Sequence, residues 1–252
     1  MSKLIAVAGK GGTGKTTVAA LVVRHLVKTG RTPVFAVDAD PNYTLGEALG
    51  IDVEQTIGTT REEFIDERTD IPAGMSKEAV LERKMHATLQ ESRDVDLLVM
   101  GRQEGPGCYC YLNNVLRKFM EMLSSDYPFV VVDNEAGMEH LSRRNTKKID
   151  LLLVVCDHSV KAARAAGRIV DLVEELQLSV DKKFLVLNRS PADVSDQVQA
   201  EIDRTELEML ARLPEDPHVQ KADESGKPLS DLGGDAPSIA ALGPALEAVL
   251  KD

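Results

Sequence analysis

Short runs of apolar residues alternate along this chain with longer stretches of helical periodicity. Two of the runs, Phe129–Val132 and Leu151–Val155, contain no polar residue, which is typical of central strands that are covered on both faces. The predicted strands are Leu4–Ala8, Pro33–Asp38, Val95–Met100, Phe129–Asp133, Leu151–Cys156, Lys183–Asn188 and Glu208–Leu213. The predicted helices are Thr16–Thr29, Lys77–Glu91, Asn113–Ser124, Val160–Leu176, Val194–Asp203 and Ile239–Leu250. This alternation predicts an α/β fold, with a mostly parallel sheet of about seven to eight strands and helices on both faces.

One region departs from the alternation. Residues 52–92 are rich in charged and turn-forming residues and are interpreted as an insertion that carries one helix. Gly233–Pro237 is interpreted as a turn before the last helix and not as a linker between domains. The chain is therefore expected to form a single domain over residues 1–252.

The composition excludes several classes of function. A net charge of −11 argues against a broad nucleic-acid surface, and the absence of Trp argues against platforms for base stacking. Three cysteines cannot build a disulfide framework and favour a reducing cytoplasm. No apolar run approaches the roughly 20 residues of a membrane span. We expect a cytoplasmic protein that binds neither nucleic acid nor membrane.

A glycine-rich segment between the first predicted strand and helix matches the phosphate-loop pattern GxxxxGK[ST] in full. Glycines in such a loop let successive backbone N–H groups turn toward phosphate oxygens. Lys15 supplies a point charge for the β- and γ-phosphates, and the Thr16 hydroxyl can bind Mg²⁺. The sequence therefore predicts a P-loop NTPase. The nucleotide-binding residues of this segment are Gly9, Gly11, Gly12, Thr13, Gly14, Lys15, Thr16 and Thr17.

A second lysine, Lys10, follows the first glycine of the loop. In this respect the segment resembles the deviant Walker A motif of the superfamily that contains MinD, ParA, ArsA and the nitrogenase iron protein. In that family this lysine reaches the nucleotide of a partner subunit, where its charge acts as an arginine finger does. The resemblance implies a homodimer gated by nucleotide, with Lys10 as a catalytic residue.

The ends of two later strands continue the resemblance. Asp38 and Asp40 lie where the family carries switch I, which implies that Asp38 is near Mg²⁺ or its water and that Asp40 orients or deprotonates the attacking water. Asp133 ends an apolar strand where the family carries Walker B, and would hold a Mg²⁺-bound water. Gly137, in switch II, would offer its N–H to the γ-phosphate.

The nucleotide base is expected at the ends of the last two strands. Asn188 matches the position where the family uses an asparagine amide, which offers a donor and an acceptor to the adenine edge. Pro214 and Glu215 resemble the loop on the other side of the adenine. ATP and ADP are favoured over guanine nucleotides because the chain has no Asn-Lys-x-Asp motif. The family resemblance extends from Lys3 to about Leu229.

Two cysteines, Cys108 and Cys110, follow a Gly-Pro-Gly sequence after the third predicted strand. Cysteines at i and i+2 on extended backbone point their sulfurs the same way, but two thiolates do not complete a tetrahedral site. Two symmetry-related pairs at a dimer axis would supply four. The pair is thus predicted to bind a soft or borderline metal ion between subunits, whereas Cys156 is interpreted as a core thiol.

The cysteine pair and the segment Asp133–Leu141 resemble the nickel-insertion accessory ATPases of carbon monoxide dehydrogenase and acetyl-CoA synthase. The second segment matches the D-x-E-A-G-x-E-H stretch of that subfamily, whereas Ser142–Thr146 departs from the Arg-Gly-Thr expected next. The resemblance implies that the metal bound by the cysteine pair is Ni²⁺, or Zn²⁺ in its place, and that apo carbon monoxide dehydrogenase or acetyl-CoA synthase receives it.

Three other functions stay open on the sequence. A positioning ATPase that acts on DNA or membrane should carry a basic surface or a basic amphipathic helix. An iron–sulfur electron-transfer ATPase could also place four thiolates at a dimer axis, but Asp133–Leu141 contains no cysteine. A binding module that uses nucleotide only for folding leaves Lys10 and Asp40 without a role.

Overall fold

A parallel sheet of seven strands forms the centre of the protein. The computed structural model describes residues 2–66, 76–102, 126–134 and 148–251. Its strands are β1 (Lys3–Gly9), β2 (Val34–Asp38), β3 (Val95–Val99), β4 (Phe129–Asp133), β5 (Ile149–Cys156), β6 (Val180–Leu187) and β7 (Glu208–Arg212). They lie in the order β3-β2-β4-β1-β5-β6-β7, and all neighbouring strands pair in parallel. The predicted fold class is confirmed.

Helices connect these strands. In the described ranges they are α1 (Lys15–Lys28), α2 (Leu45–Leu49), α3 (Ile57–Asp66), α4 (Lys77–Ala87), α5 (Val160–Glu175), α6 (Asp196–Asp203), α7 (Pro217–Ser225) and α8 (Pro237–Leu250). A short 3₁₀ turn spans Leu229–Asp231. The predicted helix Asn113–Ser124 lies outside the described residues. None of the helices within the described ranges is long and apolar enough to cross a membrane.

The prediction of one helix in residues 52–92 is wrong, because α3 and α4 both lie there. The first turn of α3 contains a glycine and two threonines, which lower helix propensity. The Thr56 hydroxyl nevertheless accepts a hydrogen bond from the Thr59 N–H at 3.1 Å, and so caps the helix start. The prediction that the next helix reaches Glu91 is also wrong: the Thr88 hydroxyl bonds to the Met85 carbonyl at 2.6 Å and the helix ends there.

One strand begins earlier than its sequence indicates. The prediction starts this strand at Lys183, yet β6 begins at Val180, which pairs with Ile149 of β5. This half of the strand is only partly buried, so its polar side chains remain accessible to water while the backbone completes the ladder.

Both faces of the sheet are covered, as expected for strands without polar residues. Ile5 and Val7 of β1 pack into a cluster with α1 and α8. Ala6 and Ala8 point to the opposite face, where α5 packs. Because side chains alternate along a strand, this register also decides which face of the sheet each strand-end carboxylate occupies.

Candidate nucleotide-binding site

The loop between β1 and α1 is shaped by its glycines. Gly12 and Gly14 have φ angles of +83° and +88°, in the left-handed region that favours glycine. A Cβ on Gly9 would overlap the carbonyl oxygen of Val155 in β5. The Thr13 hydroxyl donates to the Lys10 carbonyl at 2.8 Å and closes the loop on itself. The loop therefore has the strand–turn–helix form of a phosphate cradle.

The two lysines of the loop lie in different environments. Lys15 begins α1 and is only 8% exposed. Lys10 is exposed. A buried ammonium needs anionic partners, and carboxylates of the neighbouring strands and a bound phosphate can provide them. Lys10 faces solvent, which is what its predicted role in a partner subunit requires.

The ends of β2 and β4 bring two carboxylates together. Asp38 and Asp133 are register partners on adjacent parallel strands, so their side chains share a face, and each residue is 1% exposed. The Thr16 hydroxyl in the first turn of α1 donates to Asp133 Oδ2 at 2.6 Å. The other oxygen, Asp133 Oδ1, is buried without a hydrogen-bond partner.

Burial dominates the electrostatics of this pair. It raises the pKa of Asp133 to about 7, and the charge of Asp38 adds to the shift, while the Thr16 hydrogen bond and Lys15 oppose it. Burial also raises the pKa of Asp38, although the N–H groups of Leu45 and Asp40 stabilise its carboxylate. Two buried carboxylates with one nearby ammonium leave negative charge that a cation can neutralise.

These residues fit a hydrated Mg²⁺ ion. Magnesium prefers hydroxyl, carboxylate and water oxygens and keeps several of its waters. Thr16 would contact the ion, and Asp133 and Asp38 would hold it through water, with the unpartnered Asp133 Oδ1 available as an acceptor. Bound with ATP, Mg²⁺ would neutralise charge on the phosphate oxygens.

Asp40 lies two residues beyond the end of β2. Its backbone N–H donates to Asp38 Oδ1 at 3.0 Å, while its own Oδ1 accepts from the N–H of Asn42 at 2.9 Å. The carboxylate thus turns into its own loop as an Asx turn, at the same edge of the sheet as Asp38. Its assignment to the attacking water stays a prediction.

The residues predicted to contact the base lie at the ends of β6 and β7. Asn188 is 6% exposed, and its Nδ2 donates to the Thr13 carbonyl of the phosphate loop at 2.9 Å. The Ser190 N–H bonds to the Leu213 carbonyl at 2.8 Å, which joins the Asn188 segment to Pro214 and Glu215. The structure thus brings these segments to the edge that carries the loop, and the adenine contacts themselves stay predictions.

Three predicted site residues, Cys108, Cys110 and Gly137, lie outside the described residues. Cys156 is fully buried, and burial raises the pKa of its thiol to about 12, which confirms its interpretation as a core thiol. In the described ranges, no three His, Cys, Asp or Glu residues cluster as a metal site would require.

Sequence reasoning missed two residues at this edge. Arg189 has a φ of +50°, which is rare outside glycine, and its guanidinium contacts the Gly12 carbonyl. Asp216 is 4% exposed and accepts from the N–H groups of His218 and Ser238, each at 2.8 Å. The sequence feature that could have indicated Arg189 is its position directly after Asn188. The sequence feature that could have indicated Asp216 is weaker: an acidic residue directly before a proline is typical of a helix start.

Comparison with known proteins identifies the family of the chain. An uncharacterized ATP-binding protein of Methanocaldococcus jannaschii is 41% identical over 231 residues, which cover 91% of this chain and 91% of that protein. The carbon monoxide dehydrogenase accessory protein CooC of Rhodospirillum rubrum is 28% identical over 240 residues, which cover 90% of this chain and 89% of CooC. The solved structure of the Pyrococcus furiosus cell division ATPase MinD superposes with a TM-score of 0.69 at 21% identity, over 100% of this chain and 99% of MinD.

Residues 4–229 match the family described as the CobQ/CobB/MinD/ParA nucleotide binding domain. This range agrees with the predicted extent of the resemblance, from Lys3 to about Leu229. The chain belongs to the CobQ/CobB/MinD/ParA family of ATP-binding P-loop proteins.

Proposed function

We propose that this protein is an ATP hydrolase whose active form is a homodimer. The observation that carries the proposal is the grouping of the buried residues Lys15 and Asp133 with Thr16 beside the phosphate loop. The Thr16 hydroxyl bonds to one Asp133 oxygen at 2.6 Å, and the other oxygen is buried without a partner. A bound cation would supply a partner for the Asp133 carboxylate, and a bound phosphate chain would supply one for Lys15.

Each residue then has a task in hydrolysis. The loop N–H groups and Lys15 bind the β- and γ-phosphates. Asp40 releases the Asn42 N–H and orients the attacking water. Lys10 reaches the γ-phosphate of the partner subunit and stabilises the charge that develops there. Hydrolysis therefore depends on the second subunit, whereas nucleotide binding does not.

The replacement Lys10→Ala tests this division of roles. We expect ATP turnover to fall about 10²- to 10³-fold, in the range of a lost transition-state contact, while the affinity for ATP changes little. Lys28→Ala removes an exposed lysine at the other end of α1 and serves as the control. Wild-type turnover in Lys10→Ala would remove this residue from the mechanism.

We propose further that the ATPase cycle serves nickel insertion. Support comes from the Cys108–Cys110 pair, from the sequence following Asp133, and from the 28% identity to the carbon monoxide dehydrogenase accessory protein CooC. Two cysteine pairs at the dimer axis would bind one Ni²⁺, or Zn²⁺ in its place, and apo carbon monoxide dehydrogenase or acetyl-CoA synthase would receive it.

Metal analysis of protein purified without chelator tests the nickel proposal. Wild type should bind one Ni²⁺ or Zn²⁺ per dimer, and the double replacement of Cys108 and Cys110 by Ala should abolish this binding. Cys156→Ala, which removes the buried thiol, should keep it. Unchanged metal content in the double variant would rule out the pair as the site. Brown iron–sulfur absorption in the wild type would support an electron-transfer ATPase instead.

A positioning ATPase is the second candidate, favoured by the likeness of the whole chain to the fold of MinD. Two observations weigh against it. The net charge is −11, and α8 buries Leu242, Leu246 and Leu250 in the core and does not offer them to a membrane. Co-sedimentation with DNA or with anionic lipid vesicles in the presence of ATP would establish this alternative.

A further inference from the structure

Two consecutive residues after β6 contact two consecutive carbonyls of the phosphate loop. Asn188 Nδ2 donates to the Thr13 carbonyl at 2.9 Å. The Arg189 guanidinium donates to the Gly12 carbonyl. Both contacts approach the loop from the side of β6.

The two side chains are themselves held in place. Asn188 Oδ1 accepts the Arg189 N–H at 3.0 Å, and the Asn188 N–H donates to the Cys156 carbonyl at 2.7 Å. The Arg189 guanidinium also lies 3.7 Å from Asp157 Oδ2. A left-handed φ at a non-glycine residue persists only where the surroundings enforce it, and such residues cluster at functional sites.

These contacts fix the orientation of peptide groups in the loop. In a trans peptide the C=O and the following N–H point in opposite directions. Because Asn188 holds the Thr13 carbonyl on the side of β6, the following N–H, that of Gly14, is directed away from β6. Gly14 is the N-cap of α1, and N–H groups at a helix start bind phosphate.

The fit between Asn188 and the loop is close. A Cβ on Gly14 would overlap the Asn188 amide nitrogen. The asparagine amide therefore packs directly on the backbone at the start of α1, and Asn188 is only 6% exposed. An amide placed in this way acts on the loop whether or not a base is bound.

We propose that Asn188 and Arg189 are positioning residues that hold the phosphate loop in its binding conformation, and that they control affinity for the triphosphate independently of the base. This inference rests on the proposed nucleotide-binding function. It differs from the prediction that Asn188 reads the adenine edge, because a residue that reads the base affects ATP alone.

Binding of three Mg²⁺-complexed probes distinguishes the two roles: ATP, GTP and inorganic tripolyphosphate, which has no base. Asn188→Leu keeps a similar side-chain volume without adding charge, but loses the donor to Thr13 and the acceptor for the Arg189 N–H. Arg189→Asn removes the guanidinium, and Asn tolerates the left-handed backbone. Arg204→Asn, at the C-cap of α6 with a side chain that is 72% exposed, is the matched control.

Each site variant should weaken all three probes by one common factor. The factor is about ten for the Asn188 variant, which loses a buried hydrogen bond, and smaller for Arg189→Asn, whose contact with Gly12 is exposed. The ratio of ATP to GTP affinity should stay at its wild-type value, and Arg204→Asn should bind as wild type does. Thermal melts without ligand verify that each variant is folded, and either variant alone suffices for the test.

If the site variants lose affinity for ATP but not for tripolyphosphate, the inference is wrong and these residues read the base. If the variants keep their affinity for all three probes, the inference is also wrong. If the wild-type protein itself binds none of the probes, the proposed function fails, and the inference fails with it.

Discussion

Buried charge is the main property of the site at the scale of single residues. Lys15, Asp38 and Asp133 are each less than 10% exposed, and all three lie at the carboxyl edge of the sheet beside the loop. Charges in such surroundings are stabilised only by partners. Without nucleotide and Mg²⁺, the two carboxylates exceed the available positive charge, and the pKa of Asp133 rises to about 7.

The raised pKa predicts a pH dependence of stability. Between the unfolded pKa of Asp, about 3.9, and the folded value of about 7, the folded state binds more protons than the unfolded state. The free energy of unfolding therefore falls as pH rises through this range. Urea denaturation in EDTA without nucleotide should show this decline for the wild type.

Replacing the carboxylate should remove most of this dependence. We expect Asp133→Asn to be more stable than the wild type at pH 8, by up to about 4 kcal/mol for a shift of about three pKa units, and to lose Mg²⁺-dependent ATPase activity. Asp223→Asn, at an exposed position on α7, is the control. Parallel stability profiles for Asp133→Asn and wild type would contradict the prediction.

At the scale of elements, α8 connects the loop after β7 with the C-terminal end of α1. Its first turn is tied to the loop after β7 by the hydrogen bond from the Ser238 N–H to Asp216. Near its end, Glu247 pairs with His25 at 2.8 Å and Arg31 at 2.5 Å, on and just beyond α1, the helix that follows the phosphate loop. The helix also contains Pro244, which removes a helical hydrogen bond, so its stability depends on packing.

Leu246 provides the test of this packing. It is fully buried against the core on the α1 face, and Leu246→Ala should lower the free energy of unfolding by about 2–5 kcal/mol through lost burial and a cavity. Urea denaturation measures the change. Ala248→Ser, on the exposed side of the same helix, should change stability by less than about 0.5 kcal/mol. A loss below about 1 kcal/mol in Leu246→Ala would mean that α8 contributes little.

At the scale of the whole molecule, the site lies along the carboxyl edge of the sheet. Lys10 is exposed there, and Tyr43, in the loop after β2, is 40% exposed, more than any other large apolar side chain in the described ranges. A second copy of the chain would cover this edge, and Lys10 gains its proposed role only in that arrangement.

Slowing hydrolysis should therefore trap the dimer. In Asp40→Ala the attacking water loses its orienting carboxylate, so ATP persists and the closed dimer accumulates. Sedimentation with Mg²⁺ and ATP should shift from the monomer mass of 27.4 kDa to twice that value. Lys15→Ala, which weakens phosphate binding, should remain monomeric. A monomer of Asp40→Ala at saturating ATP would contradict the proposed dimer.

Particular elements show how far sequence reasoning reached. The β1–loop–α1 unit was predicted closely because its determinants are consecutive residues. The end of α4 and the presence of α3 were predicted wrongly, because hydroxyl hydrogen bonds of Thr88 and Thr56 decide them and these compete with helix propensity. The position of Asn188 at a strand end was predicted correctly, but its bond to Thr13 was not foreseen.

The sequence by itself determined the α/β fold class, the phosphate loop and the strand ends that carry Asp38 and Asp133, since apolar periodicity and glycine placement act over short distances along the chain. Only the tertiary structure decided which side chains lie next to the carboxylates at those strand ends. The strand order β3-β2-β4-β1-β5-β6-β7 places β4 between β1 and β2, so that Asp133 meets both Thr16 and Asp38. The same order sets β5 between β1 and β6, and residues beyond the end of β6 reach across it to the phosphate loop. Contacts of this kind depend on how distant segments pair, which no local pattern specifies.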